Sequence, residues 1–323
     1  MDNLEANTPY DDVYRTMYVE CDELVLPLIN EIFHENYEGH EKIIRRGNEH
    51  FERQQGGAED KKITDSFLEV VSKERKKYHM ECESKPDGTI LVRMFQYGSQ
   101  IAVEESRIED NQLHVEFPNA AVLFLRSRKS TPDQMEIHIH TPDGSLSYGI
   151  PTCKVSDYTI EDIFNRKLYF LIPFYIFNME KELPEIDKDG ERLQQLKNLY
   201  SDIQRRMDEI VENGGLTAFS WEVIRDLSNK VAYNLAKGQE NVKKGIGDIM
   251  GGKVLDLEVI KIRNAGVEQG RIEGMEQGRI KERNERIEEM LRKGKTPQEI
   301  SDVCNYPIEI IQEVQESMLA VKQ

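Results

Sequence analysis

Glu81 and Glu83 stand two residues apart in Tyr78-His-Met-Glu-Cys-Glu-Ser84, and Asp65 lies in the stretch before it, Ile63–Val71. If both stretches are strands, alternation puts Glu81 and Glu83 on one face, with Lys85 extending the row. The charged turn Ser72–Lys77 then brings the strand of Asp65 alongside. Three carboxylates converging from adjacent strands make a hard-oxygen site suited to Mg²⁺, or to Ca²⁺ where the geometry relaxes. A metal held there polarises a phosphodiester and lowers the pKa of an attacking water. The competing account is ordinary. With 60 Asp and Glu in 323 residues, Glu-x-Glu recurs as a wet strand face, and spacing alone favours that account.

Other chemistry-bearing residues are sparser. Arg93 and Tyr97 are one helical turn apart, with Gln100 following on the same face. An arginine so placed clamps a phosphate while the tyrosine stacks or hydrogen-bonds beside it; alternatively the two pack a helix onto a sheet. Asp12 precedes an apolar helical pattern and reads as an N-cap. His138 and His140 share a strand face and have the spacing of a zinc or copper pair, but no third soft ligand is near, so a solvated face is the better reading. No Gly-x-Ser-x-Gly elbow or Ser/His/Asp order is present. Gly247–Gly252 lacks the Gly-Lys-Ser/Thr of a phosphate loop. Cys21, Cys82, Cys153 and Cys304 are scattered, which points to reduced thiols.

The elements that must position these residues follow from periodicity. Val13, Met17, Cys21, Leu24 and Leu28 predict a helix and its continuation over 12–34. Residues 36–61 are polar and predict a loop or a loosely held helix. Strands are expected over 63–71 and 78–84, then a turn at Pro86-Asp87-Gly88 and a helix from Ile90 to about Glu105. Further strands are expected over 113–117, 121–125, 135–139 and 150–155. Thr159 is expected to cap a long apolar helix through Phe177, with a break near Pro184. The order is that of an α/β or α+β domain.

Asp65, Glu81-x-Glu83 and the helix bearing Arg93-x-x-x-Tyr97 together resemble the core of the PD-(D/E)XK nuclease superfamily. More narrowly they resemble its Rpn-type, transposase-like branch of recombination-promoting nucleases, which has Asp on one strand, Glu-x-Gln on the next, then a helix with Arg-x-x-x-Tyr. Asp12-Val-Tyr-Arg15 is similar to the opening Asp-x-x-Phe-Lys/Arg of that branch. The resemblance is most specific over 63–105, extends over about 1–180 and is architectural beyond. It implies a restriction-endonuclease-like α/β core with an all-helical C-terminal extension. It also implies a Mg²⁺-dependent DNA endonuclease that hydrolyses phosphodiesters, with Ca²⁺ or Mn²⁺ as alternative ions. Asp65, Glu81 and the Cys82 backbone carbonyl would hold the metal, and Glu83 and Lys85 would attend the water. Arg93 and Tyr97 would meet the substrate. Glu83 departs from the usual Lys or Gln; a carboxylate cannot stabilise developing negative charge, but it can act as general base or bind a second metal. The alternative is a catalytically silent nuclease-fold protein acting through its tail.

Composition bounds these readings. The net charge of −17 comes from 43 basic against 60 acidic residues, and mean hydropathy is −0.63. This excludes coating nucleic acid by bulk electrostatics. The longest apolar run, Leu168–Phe177, is about half a membrane span. The acidic, polar opening Met1–Asn7 carries no secretory pattern, so a cytoplasmic location is expected. Four segments are expected: a nuclease-like domain over 1–185, a helical extension over 186–252, a Gly-spaced helix or tether over 253–290, and a helical hairpin over 291–323. In the tether, Gly266, Gly270, Gly274 and Gly278 stand four apart. Gly294 is expected to stop one helix and Thr296-Pro297 to start the next. The hairpin has a helix-turn-helix rhythm, but Glu309, Glu313 and Glu316 on its second helix oppose groove reading, so homo-oligomerisation or partner docking is its expected role.

Overall fold

The computed structural model describes residues 9–45, 67–84, 88–104, 106–251 and, except for 285, 289, 305, 309 and 313, residues 283–315. The chain divides into two compact units, 1–254 and 255–323.

The first unit opens with two apolar-faced helices, α1 (Pro9–Glu20) and α2 (Asp22–Phe33), separated at Cys21, whose backbone leaves the helical region. Because α1 begins at Pro9, Asp12 is not its N-cap. It sits in the first turn, and its carbonyl accepts a hydrogen bond from Thr16 Oγ1 at 2.7 Å. His34, in the left-handed region at φ 55°, ends α2. Within the polar stretch read as a loop, residues Lys42–Arg45 form strand β1.

Strands β2 (Phe67–Val71) and β3 (Arg75–Glu83) make a hairpin closed at Ser72–Glu74. Helix α3 (Ile90–Glu104) follows, then a small hairpin of β4 (Arg107–Glu109) and β5 (Gln112–His114) turning on Asp110 and Asn111, both at positive φ. This is the Asx-rich two-residue turn that suits strand twist. Strands β6 (Asn119–Phe124), β7 (Gln134–Thr141) and β8 (Gly144–Lys154) complete the sheet. Its order is β1-β2-β3-β6-β8-β7. The first three strands form an antiparallel meander, β3, β6 and β8 run parallel, and β7 returns antiparallel to β8.

The faces of this sheet differ. Leu68, Val70, Tyr78, Met80, Cys82, Ala121, Leu123 and Cys153 enter the main core against α1 and α2. The opposite face is covered by α3, whose Ile90 and Met94 join Val122, Phe124, Ile137 and Ile150 in a smaller core. Gly98 lets α3 approach closely there: a Cβ on it would stand 3.3 Å from the Phe117 ring.

The long helix expected from Thr159 is instead short. Thr159 and Asp162 form a capping box that starts α4 (Ile160–Asn165), and Lys167, at φ 58°, redirects the chain. Residues Tyr169–Met179 then form a 3₁₀ segment. Pro173 lacks an N–H donor, and this run is apolar all round, so it has no solvent face to hold a 3.6-residue period. Helices α5 (Leu183–Ile186), α6 (Gly190–Glu212), α7 (Ala218–Leu235) and α8 (Glu240–Met250) follow. Asp189 and Thr217 cap α6 and α7 by accepting first-turn amides. Tyr200, Ile203, Ile224, Val231, Ile246 and Met250 enter the same core as α1 and the 3₁₀ segment.

The second unit has helix α9 (Pro297–Cys304), which follows Gly294 at φ 83° and a reciprocal Thr296–Glu299 cap. Ile287, Ile300, Ile311 and Val314 form its core. The Gly-spaced repeat lies outside the described residues. No helix among the described residues is long and apolar enough to cross a membrane.

Phe170 in the 3₁₀ segment is fully buried and edge-on to Tyr14 of α1. Phe170→Ala is expected to cost about 3–5 kcal/mol in urea unfolding. A loss under about 1 kcal/mol would remove the 3₁₀ segment from the core.

Candidate functional site

Strand β3 carries two chemistries on its two faces. Tyr78, Met80 and Cys82 point into the main core, so His79, Glu81 and Glu83 point together toward α3. All three are buried, His79 completely. His79 Nε2 lies 3.1 Å from Glu81 Oε1. Glu83 Oε2 accepts from Arg93 Nη2 at 2.6 Å. Tyr97, one turn further along α3, sets its ring edge-on to His79 at 5.8 Å. The pair on α3 therefore engages two residues of β3 that stand four apart on one face, and Arg93 faces a carboxylate of its own chain.

A further acid completes the row. Glu69 on β2 is fully buried and accepts from Arg75 Nε at 2.5 Å. Register pairs Glu69 with Lys77, so it shares the face of His79 and Glu81. Sequence reasoning passed over it, although a glutamate inside Phe67-Leu-Glu-Val-Val71 was the available signal. Arg126, just after β6, closes the end of the row. Its guanidinium holds Glu180 through two bonds of 2.6 and 2.7 Å, donates to the Ser84 carbonyl at 2.8 Å and stacks on Phe177. The Glu180 hydrogen bonds raise the Arg126 pKa further above its already high value.

Of the residues expected at a metal centre, Glu81 and Glu83 are brought onto one face, and Cys82 lies between them with its side chain in the opposite core. Asp65 and Lys85 lie outside the described residues. Among the described residues, no three His, Cys, Asp or Glu side chains gather as a metal site. The donor chemistry at Glu81, a buried carboxylate on a central strand, fits a hard cation such as Mg²⁺. At Glu83 the Arg93 guanidinium already stands as counter-cation, so a metal sharing that carboxylate has to displace it.

His138 lies 3.3 Å from Glu136, His140 lies 2.7 Å from Ser145 Oγ, and both are on a solvated stretch of β7. Burial pushes the Cys21 and Cys153 thiols up to about 12, so neither is a nucleophilic thiolate near neutrality. Comparison with protein-family models, with curated proteins and with solved structures gives no match.

The Glu83–Arg93 pair links helix to sheet through one buried and one partly exposed charge. Arg93→Met strands a buried carboxylate and is expected to cost about 1–3 kcal/mol in chemical denaturation. Adding Glu83→Leu is expected to recover most of that loss. Additive losses in the double variant would show that the two side chains do not depend on each other.

Proposed function

We propose that the chain is a Mg²⁺-dependent DNA endonuclease with a PD-(D/E)XK-like core. One observation carries this reading. An antiparallel meander is followed by a helix and a strand parallel to the last meander strand, and the acids of that last strand face the helix. Burying the carboxyl groups of Glu69, Glu81 and Glu83 on one face is costly, which favours a functional reason for their retention.

On this reading Asp65, Glu81 and the Cys82 carbonyl hold the ion. When bound, Mg²⁺ polarises the phosphodiester and makes an attacking water more acidic. Glu83 accepts the proton of that water, in the place where relatives of this fold carry Lys or Gln. Arg93 orients the Glu83 carboxylate and, when the substrate arrives, exchanges it for a phosphate oxygen. His79, two residues along the same face of β3, holds the Glu81 carboxylate. The helical tail is read as an oligomerisation element.

A second reading has an observation of its own. Glu81 is partnered by His79 and Glu83 by Arg93, both nearly out of solvent, an arrangement that also suits a silent fold used for interaction.

Nicking of supercoiled plasmid separates the two. Wild type is expected to nick with Mg²⁺ and not with EDTA, and Asp65→Ala and Glu81→Ala are each expected to lose at least about a hundredfold. Equal nicking by all three proteins points to a contaminant, and no nicking by wild type supports the interaction module.

A further inference from the structure

At the carboxyl ends of the parallel strands β6 and β8 the fold leaves an open cleft of about 360 Å³. It is lined by Ser127, Thr131 and Ser156, by the cations Arg128, Lys129 and Lys154, and by a single acid, Asp157. In a chain with a net charge of −17, this concavity has a local excess of positive charge. Open parallel sheets bind ligands at this end of their strands.

The charges in the cleft are unevenly satisfied. Lys154 is nearly buried, with its side chain 11% exposed. Its Nζ donates to Asp133 Oδ1 at 2.5 Å and to the Thr131 carbonyl at 3.3 Å, with Asp157 Oδ2 at 3.5 Å. Asp133 itself is 93% exposed. A buried, fixed ammonium thus has its main countercharge on a side chain that water can take back at little cost. Arg128 and Lys129 are exposed, and among the described residues neither has an ion-pair partner. The hydroxyls of Ser127 and Ser156 are 2.6 Å apart and supply rotatable donors beside the ammonium.

We propose that this cleft is a binding site for a phosphate group. Lys154 is the fixed cation, Arg128 and Lys129 close over the anion, and Ser127 and Ser156 donate to its oxygens. Asp133 is the displaceable carboxylate that holds Lys154 when no ligand is present. Register sets the cleft's relation to the acidic row: Glu83, Phe124 and Lys154 are consecutive partners across β3, β6 and β8. Their backbones therefore lie about 10 Å apart from first to last, on one face. A phosphate in the cleft would stand beside the acidic row. The site rests on the cleft's own chemistry; only the identity of the phosphate as a nucleic-acid backbone rests on the endonuclease reading.

The test is titration calorimetry on the full chain in EDTA at low salt, so that no cleavage takes part. The probes are inorganic phosphate, thymidine monophosphate and a short single-stranded DNA. Asp133→Asn removes the competing carboxylate and is expected to tighten phosphate binding about five- to tenfold. Arg128→Ala/Lys129→Ala is expected to weaken it about tenfold, the size of one lost charge-assisted contact. Because Lys154→Met removes a buried cation and endangers the fold, the exposed double variant and the gain at Asp133 carry the test. Phosphate affinity unchanged in both variants, or none detectable below about 10 mM in Asp133→Asn, overturns the proposal. Variant-sensitive binding of DNA supports the site as a backbone contact. Binding of the small phosphates without DNA supports the site and assigns it to a small phosphorylated ligand. Loss of plasmid nicking with phosphate binding intact counts against the endonuclease and leaves this site standing.

Discussion

Glu69, His79, Glu81 and Glu83 lie on one buried face of two adjacent strands, and a sheet keeps them there only when each carboxylate has a partner. Two partners are local. Arg75 closes on Glu69 across the hairpin, and His79 meets Glu81 two residues along the same strand. The third is supplied from outside the sheet, by Arg93 on α3. That contact makes the position of α3 a matter of charge as well as apolar area. The helix has only a small core of its own to dock on, formed by Ile90 and Met94 against β6, β7 and β8.

The opposite face of β3 imposes the complementary constraint. Tyr78, Met80 and Cys82 are held by α1, α2 and the 3₁₀ segment, so the strand cannot slip by one residue. Such a slip would turn the acids into the apolar core and the apolar set toward α3. Arg126 then joins the two layers at the strand's end, reaching the Ser84 carbonyl from β6 while its guanidinium holds Glu180 and stacks on Phe177. A bidentate, stacked arginine is rigid, so the end of β3 and the start of the cleft beside it are fixed by the same side chain.

Much of this was legible in the residues. The alternation in Tyr78–Ser84 and the apolar stripe from Ile90 each produced the element they predicted. So did the amphipathic faces of α6 and α7. The charged turn expected over Ser72–Lys77, by contrast, is confined to Ser72–Glu74, Arg75–Lys77 being the start of β3. The places where the pattern misled have physical reasons. Pro9 starts α1 a turn before its apolar stripe begins, which leaves Asp12 inside the helix. The run Leu168–Phe177 is apolar on every side, so hydrophobicity gave its burial and not its geometry. The first half of β8, Gly144–Gly149, is mostly exposed and is held by backbone pairing with β7, although Leu146, Tyr148 and Ile150 carried the alternation that could have extended the expected strand back from Ile150. Within the candidate site, spacing correctly put Glu81 and Glu83 on one face. It did not show that the guanidinium of Arg93 would turn inward onto Glu83, because that depends on how α3 is docked in three dimensions.

The acidity of the chain acquires a local meaning from the fold. Before residue 151 the chain has 17 basic against 29 acidic residues, so a phosphate approaching that part from a distance meets repulsion. Much of the surface acid is held in pairs, with Arg192 bridging Glu182 and Glu185, Arg206 on Glu161, and Arg166 on Glu31. Among the described residues Arg128 and Lys129 have no such partner, and Lys154 is neutralised mainly by an exposed aspartate. Repulsion over the whole surface falls off within a Debye length, whereas contacts inside a cleft are screened much less. A molecule built this way discriminates by position. On the proposed reading, the acidic surface repels a polyanion and the cleft at the ends of β6 and β8 is where a phosphate is met.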